Sequence, residues 1–187
     1  MRLIIGVLLL TIYSCAVDGQ KPPDGDSETD FSVLEGWNAI IEEDYSIQYP
    51  DSFTLDDSGL MGSEFFLFSR QLSSTDMFRE NLNLMVLDLP AEHMSLEEYG
   101  RLSEEQAASY FNDFEIMESE VIETENGEYY QIAYTGTQGR FLLRWLQKYW
   151  FMGGKAYTLS LTCEQDTYDN YGPVGEQIMA TFTLSSE

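Results

Sequence analysis

Residues 115–163 read EIMESEVIETENGEYYQIAYTGTQGRFLLRWLQKYWFMGGKAYTLSLTC. Asn126-Gly127 and Gly153-Gly154 are pairs that tolerate the positive φ of a tight type I′ hairpin turn, and Gly136 with Gly139 marks a further corner between them. These corners cut the stretch into candidate strands 115–124, 128–135, 140–152 and 155–163, joined by connections too short for anything but antiparallel neighbours. Working outward, residues 95–111 change period. Leu96, Tyr99, Leu102, Ala107, Tyr110 and Phe111 fall along one helical face, Glu97, Glu98, Glu104 and Glu105 along the other, and Ser95 with Glu98 fits a capping box. Upstream, Tyr45-Ser46-Ile47-Gln48-Tyr49 alternates before Pro50 stops it, and residues 64–69 and 82–89 are apolar enough for strands covered on both faces. Downstream, Pro173 is placed near the start of a C-terminal helix carrying Ile178 and Met179. The order predicts an α+β fold: one antiparallel sheet with helices packed against it.

The order of short motifs resembles the PsbP-like superfamily, which includes the photosystem II extrinsic protein, the DcrB-like bacterial lipoproteins and a yeast Ran-binding nuclear import factor. The resemblance runs from about Tyr45 to Phe182. It rests on Tyr45 to Tyr49-Pro50 with Phe53 soon after, Glu80-Asn81-Leu82-Asn83-Leu84 leading to Ser95-Leu96-Glu97-Glu98-Tyr99, and Gly127 followed by Tyr129-Tyr130. Gly153-Gly154-Lys155-Ala156-Tyr157-Thr158-Leu159 and the closing Ile178 to Thr181-Phe182 complete it. The resemblance implies a central antiparallel sheet sandwiched by helices, in a superfamily that mostly binds proteins rather than catalysing. It transfers no site residues, and no photosystem or Ran binding follows from fold.

The chain of 187 residues carries 9 Lys and Arg against 33 Asp and Glu, a formal charge of −24. Such a field repels nucleic acid and anionic headgroups, so a nucleic-acid partner is not expected. Aromatic residues at 14% distinguish the chain from a disordered acidic tail and allow a real core.

Met1-Arg2 followed by the apolar run Leu3 to Ile12 reads as an export signal, too short to span a bilayer, which takes about 20 residues. Ile12-Tyr13-Ser14-Cys15 resembles the lipobox of bacterial lipoproteins, with Tyr13 bulkier than is usual there. Residues 1–14 are expected to be a lipoprotein signal peptide, with Cys15 lipidated and the mature protein anchored to the cell envelope, on its periplasmic or surface side. Residues 15–30, rich in Pro, Gly, Ser and acid, are expected to be a flexible tether, and residues 31–187 a single folded domain. Asp24, Asp26 and Glu28 lack the full ligand pattern of a calcium loop, so a solvated linker is expected. The only other cysteine is Cys163, and a lipidated Cys15 leaves it without a disulfide partner.

Nucleophile elbows, zincin helices, phosphate loops and CxxC pairs are absent from the sequence. His93, between Glu92 and Met94, is expected to be a surface or capping residue rather than a catalytic imidazole. Cys163 shares a strand face with Tyr157, Leu159 and Leu161, which predicts a buried, inert thiol. The acid clusters Glu42-Glu43-Asp44, Asp56-Asp57 and Glu104-Glu105 are what an acidic surface produces by composition. The least ordinary feature is cationic: Arg140, Arg144 and Lys148 share strand parity, with Leu142, Leu146 and Trp150 between them. An open face there would suit an anionic protein or glycan. The competing reading is neutralisation by carboxylates of the fold, including an approach of Lys148 to Glu128.

The expectation is therefore a non-catalytic, membrane-anchored envelope lipoprotein acting as a protein-binding or assembly module, with no enzyme activity, cofactor or metal. Its candidate partner-binding residues are Arg140, Arg144, Lys148 and Trp150. The alternative is a carrier of small apolar ligands with a pocket between sheet and helix.

Overall fold

The computed structural model describes residues 32–71, 73, 76–89, 94–125 and 127–185. In chain order the strands and helices are β1 (Trp37–Ile41), β2 (Tyr45–Pro50), β3 (Phe53–Asp56), β4 (Phe65–Ser69), β5 (Asn81–Asp88), α1 (Leu96–Tyr110), β6 (Asn112–Thr124), β7 (Gly127–Gln138), β8 (Phe141–Met152), β9 (Lys155–Glu164), α2 (Tyr168–Ala180) and β10 (Thr183–Leu184). The meander β6–β9 forms as its turn residues dictate. Gly153 and Gly154 both have positive φ, 60° and 77°, as the hairpin between β8 and β9 requires. Asn126 lies outside the described residues.

Beyond the meander, β9 pairs with β5, and the sheet continues through β4 to β3, giving seven antiparallel strands in the order β3-β4-β5-β9-β8-β7-β6. The period-two pattern of β8 then divides its side chains between two cores. Leu143, Trp145 and Tyr149 face α1, in a cluster rich in aromatic rings with Phe78, Tyr99, Phe111, Tyr130 and Tyr134. Leu146 faces α2 with Leu82, Leu84, Leu159, Leu161 and Ile178.

The helices dock where the sequence supplies small residues. The Ser95 cap is reciprocal: Glu98 N–H donates to Ser95 Oγ at 3.1 Å, and Ser95 N–H donates to Glu98 Oε2 at 3.0 Å. Gly100 of α1 lies on the Tyr130 ring, and Gly175 of α2 lies on Leu161. Both backbones thereby come closer to the sheet than any larger residue allows.

Three features depart from the sequence reading. The fold is more sheet-dominated than a single sheet with helices, because β2 pairs with β1 and β10 in a separate three-stranded sheet. Tyr45, Ile47 and Tyr49 of that small sheet pack beside α2 over the same core. A side-chain bond of 2.7 Å between Ser46 and Thr183 and a salt bridge of 2.8 Å from Lys155 to Asp44 fasten it. Secondly, α2 begins at Tyr168, so Pro173 lies inside the helix. The buried Tyr168 anchors a first turn that the proline does not start. Thirdly, Gly136 is no corner. It sits within β7, where a Cβ would come 2.9 Å from that of Phe111, and the turn is made at Gly139.

Candidate functional site

Shared parity does place Arg144 and Lys148 on one face, the face that receives α2, whereas Arg140 lies in the turn before β8. The three are not alike. Arg140 precedes β8 and is exposed, its guanidinium 4.9 Å from the centroid of the Phe141 ring. Arg144 is half-buried with its guanidinium 3.7 Å from the centroid of Tyr168, the first residue of α2. Its Nε is buried and without a hydrogen-bond partner among the described residues. Lys148 lies 4.8 Å from the Tyr129 ring. Burial lowers its pKa, opposed by the carboxylates of Glu176 and Glu118 on either side. Trp150 is half-buried between the rings of Tyr129 at 5.4 Å and Phe182 at 4.9 Å.

The stripe is therefore held by aromatic faces rather than by carboxylate pairs; the ion pairs among the described residues, Arg101 with Glu105 and Lys155 with Asp44, lie outside it. The approach of Lys148 to Glu128 does not occur. Gln131 stands opposite Lys148, and Glu128 pairs with Glu123.

Arg144 also belongs to a polar row that the sequence reading missed. Arg144 pairs with Cys163 across β8 and β9, and Glu80, just before β5, comes beside Cys163 from the other side. Glu80 is only 3% exposed and makes no salt bridge among the described residues. Hydroxyls solvate it: Ser69 Oγ donates to Oε2 at 3.0 Å and Thr167 Oγ1 to Oε1 at 2.6 Å. The available signal was parity, since Glu80 precedes Leu82 and Leu84 on the inward face. The row gives Cys163 no reactivity. Burial, reinforced by Glu80 and opposed by Arg144, pushes its thiol up to about 12, so at neutral pH it is protonated and inert.

Arg144→Glu is expected to lower stability by about 2 kcal/mol. The new carboxylate meets the electron-rich face of Tyr168 and stands in the same row as Glu80. A denaturant titration should give a lower midpoint with unchanged slope. An unchanged midpoint means that Arg144 does not hold α2.

The acid clusters separate into individual structural roles. Asp44 accepts from Lys155 and from the Tyr157 hydroxyl, at 2.8 and 3.1 Å, and those two bonds hold its pKa below the ordinary aspartate value. Glu104 accepts from Ser119 and Tyr130, and Asp56 accepts from Ser58 N–H at 3.0 Å. Among the described residues no group of three His, Cys, Asp or Glu is arranged to hold a metal. Cys15, the tether and His93 lie outside the described residues.

A seven-stranded antiparallel sheet with α1 on one face and α2 plus a small sheet on the other is the PsbP-like fold. Its solved examples include the cyanobacterial PsbP protein CyanoP from Synechocystis, which matches at TM-score 0.62 and 17% identity over 81% of this chain and 94% of that one. LpqN of Mycobacterium tuberculosis, described as involved in cell envelope biogenesis, matches at TM-score 0.58 and 11% identity over 80% and 92%. PA94 of Pseudomonas aeruginosa, of unknown function, matches at 0.57 and 12% over 81% and 99%. At these identities the likeness is one of fold. No family model and no curated protein sequence matches the chain.

Proposed function

We propose that this protein is an exported, non-catalytic envelope lipoprotein, anchored by lipid on Cys15, that binds a partner protein at the open end of its large sheet. The observation that carries the reading is where the chemistry sits. Cys163 is sealed in the core, the Glu80 carboxylate is held by Ser69 and Thr167, and Arg144 lies on Tyr168. By contrast β6, at the edge of the sheet, leaves its side chains largely exposed, and Lys148 and Trp150, half-buried on β8, lie beside Tyr129 of the intervening β7. The envelope role described for LpqN supports the same assignment. Against a carrier of apolar ligands stand the glycine contacts, which close the space between helix and sheet at Gly100 and Gly175.

No helix among the described residues is long and apolar enough to cross a membrane. Membrane attachment in this reading therefore depends on the lipid, and two or more acyl chains make it stable. Cys15→Ala is expected to leave the fold intact, judged by far-UV circular dichroism, and to move the protein from the membrane to the soluble fraction. Retention of the monomeric variant on membranes overturns the anchor. Cross-linking of the wild-type protein in its own cells should give a discrete adduct with a second polypeptide, and a monomer alone overturns the binding role.

A further inference from the structure

β6 has 13 residues and forms one edge of the large sheet, and no strand among the described residues covers its outer side. The opposite edge, β3, has four residues. An exposed edge of this length is a template for pairing, which folded proteins ordinarily blunt. Here the blunting is partial. Register shifts interrupt the ladder with β7 between Asn112 and Glu115 and between Ile116 and Glu118, but from Glu118 to Thr124 the pairing is regular. A continuous template of seven residues is left.

The side chains of that template divide by character. Ser119 and Val121 lie on the α1 side, opposite Ile132 and Tyr130, and Ile116 continues that side beyond the irregularity, opposite Tyr134. Val121 is 37% and Ile116 42% exposed, a large opening for aliphatic residues in a folded sheet. Glu118 and Glu120 lie on the other side, opposite Ala133 and Gln131, with Glu115 beyond them. Glu118 Oε1 accepts from Gln131 Nε2 at 2.8 Å, which fixes one carboxylate at the edge. Toward the hairpin the characters exchange, Ile122 falling on the acid side and Glu123 on the other.

We propose that the outer edge of β6, over residues 118–124, accepts an extended segment of a partner protein as an eighth strand, one in which basic residues alternate with apolar ones. This rests on the reading of the protein as a binding module and names its surface and its partner chemistry. Backbone hydrogen bonds to the outer edge supply the affinity, and alternate side chains supply the selection. Over residues 118–121, the part of the template that lies before the exchange at Ile122 and Glu123, the partner's cations meet Glu118 and Glu120 and its apolar residues meet the side of Val121. A second copy of the chain is the wrong occupant, because each copy carries a net charge of −24 and two β6 edges side by side bring their Glu118 and Glu120 side chains close together. The acids thus exclude self-pairing while selecting a basic strand.

The test uses the full chain in detergent and fluorescent synthetic peptides of about nine residues, long enough to span the template. One alternates Val and Lys, a second has the same composition with the lysines clustered, and a third is the alternating peptide methylated on alternate backbone nitrogens. The alternating peptide should bind and slow amide exchange over residues 118–124. Clustering and methylation should each weaken binding by about tenfold or more, since one removes the charge register and the other the ladder donors. Glu118→Lys combined with Glu120→Lys, both at exposed positions, should weaken it similarly while leaving the unfolding midpoint nearly unchanged.

Equal binding of all three peptides overturns the proposal, because it is then adhesion of cations to a chain of net charge −24. Absence of binding, or exchange protection elsewhere, overturns it too. If the cellular cross-linked adduct survives the double variant undiminished, the edge is not the site and the binding role stands. If no adduct forms with the wild-type protein, the binding role itself fails.

Discussion

Leu161→Ala should lower the free energy of unfolding by about 3–4 kcal/mol, and much of that loss should not add to the effect of Gly175→Ala. Leu161 is fully buried at the centre of β9, among Leu82, Leu159 and Ile178. Removing three carbons there leaves a cavity that the sheet cannot close, because its neighbours are fixed by strand pairing on both sides. The glycine across from it makes the test sharper. A Cβ at Gly175 would lie 2.5 Å from Leu161 Cδ2, so Gly175→Ala alone should cost about 1–3 kcal/mol by forcing α2 off the sheet. In the double variant the alanine methyl enters space that the leucine has left. Urea unfolding of the four proteins in the cycle should therefore show a double variant more stable than the sum predicts. Strict additivity would mean that α2 does not rest on Leu161.

Gly100→Ala should destabilise the protein by about 2–3 kcal/mol, although the same change in a free helix stabilises by nearly 1 kcal/mol. The reversal of sign comes from Tyr130. A Cβ at Gly100 would stand 2.3 Å from Tyr130 Cε1, and the ring has nowhere to turn because its hydroxyl is shared with Glu104 and Ser119. Those bonds tie α1 to β6 and β7 together, so moving the ring disturbs three elements at once. Tyr130→Leu in the same background should recover part of the loss. A Gly100→Ala protein as stable as the wild type, measured by thermal or urea unfolding, would show that the helix does not dock at this point.

How much of this was legible in the sequence follows from the length and regularity of each element. The meander was legible because its strands are long and bounded by glycines, as at Gly153-Gly154. The helix α1 was legible because cap and period agree at Ser95 and Glu98. The small sheet was not, since β10 has two residues and pairs with a strand far away in sequence, where no local pattern records the partner. The start of α2 was misjudged because proline is a strong local signal, whereas burial of Tyr168 is a tertiary one. For the site, parity alone correctly gathered Arg144, Lys148 and Trp150 on one face. It was silent on what covers that face, and so it anticipated carboxylates where Tyr168 and Tyr129 stand. Glu80 was invisible for the reverse reason: its partners, Ser69 and Thr167, come from two other parts of the chain.

The pairing of β10 with β2 bears on the order of events during synthesis. Ser46 and Thr183, whose side chains bond to each other, are 137 residues apart. The small sheet therefore cannot close until residues 183–184 have left the ribosome, and the apolar residues Tyr45, Ile47 and Tyr49 wait without their final cover. Contacts of such separation form slowly, because a long loop must lose its freedom before they are made. Until residues 183–184 are made, the core beneath β2 lacks part of its cover, and that apolar segment is open to non-native contacts in the meantime.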